Sequence, residues 1–228
     1  GMGFCQAFLC FPSRGPMKAP LSAALALALT ASGPATAQEP VQAVVPVYGQ
    51  VIRYGLPGIF APAPAYEAER DGSYILEHLP PGETVDNWTR MMTVTGARGL
   101  GADVADIDTA KLAEWAATQL LQGYQAGCAV DVTAEALDIL KLQGARAAFG
   151  GYMGCGRVAG TDHSEEMVVV VLVGAKDTYT LQFAERGPAQ DQPIERDASK
   201  WMLRISGLSQ ARLCTPAEGE QAPYPSCN

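Results

Sequence analysis

Seven consecutive residues without a polar side chain, Met167 to Val173 (MVVVVLV), limit the folds open to this chain more than any other stretch. β-Branched side chains are crowded in a helix and fit well on a pleated strand. A strand that is apolar on both faces needs both faces covered. Gly174-Ala175-Lys176-Asp177 follows as a turn, and Tyr179 to Ala184 then alternates apolar and polar residues with period two. The pair reads as a β-hairpin. Its first strand is expected at the centre of a sheet, and its second is expected to be more exposed on one face.

Two helices are legible around it. Asp108 is a good N-cap for a helix to about Gln122, with Leu112, Ala116 and Leu120 on one face and Trp115 widening the stripe. Gly123 or Gly127 supplies the stop. Asp197 caps a second helix over Ala198 to Leu208, where Trp201, Ile205 and Leu208 share a side. Trp88, Trp115 and Trp201 are expected to anchor the core, and any tryptophan exposed in a groove would mark a binding surface. Tyr74 to Leu79 reads as a strand stopped by Pro80-Pro81-Gly82, and Met91 to Thr95 as another. Glu83 to Asn87 reads as one or two helical turns with Thr84 near the cap. Cys128 to Leu142 suits either a helix or part of a hairpin, and the glycines of Ala147 to Cys155 suit a twisted strand. Hairpins interleaved with helices predict an α+β fold, an antiparallel β-sheet flanked by helices.

The other end of the chain carries an address. Met17-Lys18, the apolar run Leu21 to Leu29 and Ala35-Thr36-Ala37 together describe a secretory signal peptide. Residues 1–37 therefore read as an upstream extension plus signal, with the signal starting at Met17 and cleavage near Ala37. The apolar run is too short to span a bilayer, and no Cys follows the cleavage site for lipidation, so no stable membrane anchor is expected. Residues 38–72 read as a Pro-rich leader with a short edge strand at Val44 to Val51, and 73–228 as a single α+β domain with a Cys-bearing tail. The location implied is periplasmic or secreted. Of 16 basic and 24 acidic residues, cleavage removes only the basic Arg14 and Lys18, leaving a net charge of about −10. Such a chain is a poor ligand for nucleic acid or anionic lipid.

Cys128, Cys155, Cys214 and Cys227 remain after cleavage, an even number that in an exported chain favours two disulfides. Three connectivities are possible. Cys214 and Cys227 bracket a Pro- and Gly-bearing tail suited to local closure, which would leave Cys128 with Cys155. None sits in a C-x-x-C pair, which disfavours a redox or metal site.

The segment YILEHLPPGETVDNWTRMMTVTG, a helix, EEMVVVVLVGAKDTYTLQFAERG and a Trp-bearing last helix resemble a family of uncharacterised exported proteobacterial proteins. Their order of elements is similar to the Mog1/PsbP-like fold, an antiparallel sheet sandwiched between helices. The resemblance covers roughly Tyr74 to Cys214. It implies a binding or assembly factor, and it supplies no catalytic residues.

The residues themselves offer little chemistry. Thr161-Asp162-His163-Ser164-Glu165-Glu166 is a polar cluster with the residue types of a metal or acid/base site, against a plain solvated loop. Glu77 and His78 are neighbours on a strand and so point to opposite faces. No serine lies in a G-x-S-x-G elbow, and no Lys-Ser or Lys-Thr follows the glycines of Gly150 to Gly156. The expectation is a non-enzymatic protein without cofactor or metal that binds an unknown protein or small ligand. Trp88, Tyr152 and His163 are the candidate binding surface. The alternative is an exported hydrolase using His163, Glu165 and Glu166.

Overall fold

The computed structural model describes residues 41–139 and 141–227; the signal segment, Cys5 and Cys10 lie outside them. Ten strands and two α-helices follow in the order β1 (Val41–Val47), β2 (Gln50–Leu56), β3 (Tyr66–Arg70), β4 (Ser73–His78), β5 (Arg90–Ala97), α1 (Thr109–Ala126), β6 (Val132–Leu137), β7 (Ala147–Cys155), β8 (His163–Val173), β9 (Thr178–Pro188), α2 (Ala198–Leu208) and β10 (Arg212–Cys214). Seven strands form one antiparallel sheet in the order β3-β4-β5-β9-β8-β7-β6, and β1-β2-β10 form a smaller one. The fold is α+β, as expected.

Three layers result. One core lies between the large sheet and the layer made of the small sheet and α2, with Ile52, Tyr54, Leu172, Leu181, Phe183 and Trp201 buried. The other lies between the opposite sheet face and α1. The apolar hairpin strand, β8, feeds both cores: Val168, Val170 and Leu172 enter the first, and Val169, Val171 and Val173 the second.

The hairpin's alternating strand departs from expectation. β9 lies between β5 and β8, and its polar face is as buried as its apolar one. Thr180 meets Thr95 at 2.7 Å, and the Gln182 amide donates to Thr180 at 2.9 Å. Polar side chains can be buried when they satisfy one another.

The expected surface leader is also corrected. Val41 to Leu56 forms a hairpin, turned by Tyr48 and Gly49 at φ 54° and 87°, that buries Val45, Val47, Val51, Ile52, Tyr54 and Leu56. Pro46 is accommodated because β1 is an edge strand. Tyr66 to Arg70 then adds β3 to the large sheet.

Asp108 and Asp197 cap α1 and α2 as expected, accepting from Ala110 and Lys111 and from Lys200 respectively. Trp201 is fully buried, whereas Trp115 is 41% exposed and does not widen the buried stripe. Glu83 to Asn87 is not helical. Glu83 instead accepts from the Thr89 backbone and hydroxyl, and Thr84 accepts from the Asn87 N–H, which closes the segment as a turn. Among the described residues Cys128–Cys155 and Cys214–Cys227 form disulfides.

Candidate binding surface

Successive residues on β8 face opposite cores, and this separates the residues singled out in the sequence. Glu166 points to the α2 side. Its carboxylate accepts from the Tyr152 hydroxyl and the Trp201 indole, both at 2.8 Å, and from Lys200 at 3.3 Å. Directly across the ladder, Glu185 pairs with Lys200 at 3.3 Å and Arg204 at 3.1 Å. These contacts dock α2 onto the sheet. Tyr152 is 1% exposed, with its ring tilted against Trp201 at 5.6 Å, so its side chain offers no contact surface. Burial and the Glu166 carboxylate together push its phenol far up.

Glu165 and His163 point to the α1 side. Glu165 is buried and pairs with Arg186 at 3.2 Å; burial raises its pKa, and the guanidinium opposes the rise. Arg186 in turn lies 3.8 Å over the Trp88 ring, which is buried. His163 is half-buried, with Nε2 shielded and without a hydrogen-bond partner. Its pKa is lowered by burial first and by Arg186 second, with Asp162 opposing. Trp88 and His163 thus share Arg186 as a neighbour, while Tyr152 lies on the other side of the sheet. The trio does not form one surface, and the alternative hydrolase cluster is divided in the same way. Among the described residues no three His, Cys, Asp or Glu side chains gather as metal ligands.

The surface that the fold does open is at the edge of the sheet. Among the described residues β6 pairs with β7 on one side and with no strand on the other. α1 packs chiefly across β7 and β8 and only lightly on β6. Under this overhang the sheet carries Ala134, Ala136 and Gly151, too small to fill the gap left by Leu121, Phe149 and Met153. The result is an apolar cleft of about 160 Å³, open along β6. Gly151 also pairs with Ala136 in the ladder, so the smallest side chains of the two strands coincide.

The flanks of this edge are distinct. On the α2 side, Thr133 donates to the Ile194 carbonyl at 2.7 Å, and Glu135 is held by Arg196 at 2.8 Å. Asp131 and Asp138 are exposed just beyond the two ends of β6, with no ion pair among the described residues. The opposite edge strand, β3, carries Glu67, Glu69 and Arg70 within five residues, a charged edge of the kind that discourages pairing. A wider depression of about 560 Å³ lies by Tyr48, Arg98, Val104 and Lys176. Arg98 is engaged there, stacked on Tyr48 at 4.4 Å and paired with Glu69 at 2.7 Å.

Of the β6 cleft residues only the glycines and Tyr152, whose side chain turns to the α2 side, stood out in the sequence. Ala134, Ala136 and Gly151 share a small or absent side chain, which becomes a feature only when a helix passes above.

The fold and this edge define the chain as an α+β protein with an open β-strand beside an apolar cleft. No protein-family model and no curated protein matches it. Among solved structures it is similar to the Ran-binding protein Mog1p of Saccharomyces cerevisiae, at 13% identity and a TM-score of 0.44 over 76% of this chain and 95% of that one. A protein of Bacteroides thetaiotaomicron is matched at 15% identity and a TM-score of 0.38, over 82% of this chain and 52% of that one. Function is therefore read from the chain's own geometry.

Proposed function

We propose that this chain is an exported, non-enzymatic binding protein that holds a partner protein along the open edge of its large sheet. The observation that carries the reading is β6, a six-residue strand that among the described residues is paired on one side only, next to an apolar cleft. Outward N–H and C=O groups at every second residue of such a strand supply directional hydrogen bonds, and the cleft supplies apolar burial. The segment from Met17 to Ala37 and the two disulfides support export. The strand pleat sets Glu166 on the face opposite His163 and Glu165, which counts against the three acting together as a hydrolase site.

A photo-crosslinking residue in place of Thr118, exposed at the α1 rim of the cleft, with Ala68 on the far edge strand as control, tests this in the native exported protein mixture. Adducts to one partner protein from position 118 alone are expected. Equal labelling from both positions, or none from either, overturns the reading.

A further inference from the structure

A strand added alongside β6 would meet an edge whose chemistry is not neutral. Its side chains at alternate positions would turn towards α1, next to Ala134 and Ala136. An apolar cavity of about 150 Å³ is enough to hold benzene, so a cleft of about 160 Å³ has room for one apolar side chain. β6 spans roughly 20 Å, and Asp131 and Asp138 stand just outside its two ends.

A second copy of the chain is a poor guest. Antiparallel pairing of β6 with itself, Val132 opposite Leu137, would set Asp131 of one chain against Asp138 of the other at both ends. Like charges directly opposite are destabilising, and the long-range repulsion between two acidic chains adds to it.

We infer that the β6 edge takes an extended cationic segment of a partner protein, with basic residues at its two ends and apolar residues at alternate positions between them. This rests on the edge being the binding surface. The Asp pair selects the sign of the guest, the cleft accepts one apolar side chain, and the backbone ladder demands an extended conformation. Glu135, neutralised by Arg196, contributes little to the choice.

The test uses the oxidised protein and fluorescently labelled Lys-Leu-Thr-Val-Thr-Leu-Ser-Lys, compared with the same peptide carrying Glu at both ends, by anisotropy at low salt. Exposed charge pairs are each worth a few tenths to about 1 kcal/mol, so the Lys peptide is expected to bind about 10-fold tighter. The double variant Asp131→Asn/Asp138→Asn should shrink that ratio to about 2-fold. Ala136→Phe, which fills the cleft from the surface, should abolish binding, with circular dichroism showing the fold retained. Equal affinity for both peptides, lost in Ala136→Phe, would keep the edge as the binding surface and overturn the cationic guest. No binding of either peptide, or binding indifferent to Ala136→Phe, would overturn both.

Discussion

Trp201 donates its indole N–H to the Glu166 carboxylate at 2.8 Å, joining the last helix to the central hairpin. The same carboxylate accepts from Tyr152 at 2.8 Å. One acceptor therefore satisfies two donors on side chains that are 0% and 1% exposed.

Glu166→Ala should lower stability by about 2–4 kcal/mol, because both donors lose a charged acceptor inside the fold. Glu166→Gln keeps one oxygen and should cost about half as much. Urea unfolding of the two variants measures the difference; similar losses in both would mean that charge, not acceptance, matters.

Stability should fall as pH drops below about 6.5. His78, buried with Nδ1 at 3.1 Å from the Ala61 carbonyl, and His163 both have pKa values lowered by burial. The unfolded chain then takes up protons before the folded one, so stability is full above the unfolded value and is lost as pH falls towards the lowered folded values. Glu165 acts in the opposite sense: burial raises its pKa, so its protonation at lower pH relieves a penalty. Urea midpoints between pH 7.5 and 5.5 should decline, and His78→Asn with His163→Gln should flatten the slope.

The Cys128–Cys155 bridge closes a separation of 27 residues and the Cys214–Cys227 bridge one of 13. Replacing both partners by Ser should cost about 3.5 kcal/mol for the first and about 3 kcal/mol for the second on loop-closure entropy. Loss of the second should also free Arg53 from the Cys227 carbonyl, which it now meets at 2.9 Å. Hydrogen exchange in β10 reports that detachment directly.

Two glycines should respond oppositely to Ala. Gly144 has φ 81°, and a Cβ there would fall 1.6 Å from the Leu213 carbonyl oxygen. Gly144→Ala should therefore cost about 3 kcal/mol or more, combining backbone strain with displacement of β10. At Gly151 a Cβ meets its nearest neighbours at 3.6 Å, an ordinary contact. Gly151→Ala should be neutral or stabilise by up to about 1 kcal/mol. Thermal unfolding separates the pair.

Local rules read much of this chain correctly. The apolar run of β8, the caps Asp108 and Asp197 and the stripe Trp201, Ile205 and Leu208 all depend on neighbours within a few residues. The same rules placed an edge strand within Val41 to Leu56 but missed its burial as a hairpin, because nothing local reveals that β10 will pair with β2. They misjudged Trp115 because a stripe's width depends on what lies opposite it.

The sequence by itself determined the helices, the central hairpin and the cysteines that could pair, since periodicity, capping and composition act over short spans. Only the tertiary structure decided that β9 is buried on both faces, that Glu165 and Glu166 serve different cores, and that β6 lies at an edge beside a cleft. Each of these depends on which strand lies next to which, a choice made by contacts between residues far apart in the chain. A cleft is the plainest case, because Ala134, Ala136 and Gly151 create it only once α1 passes over them.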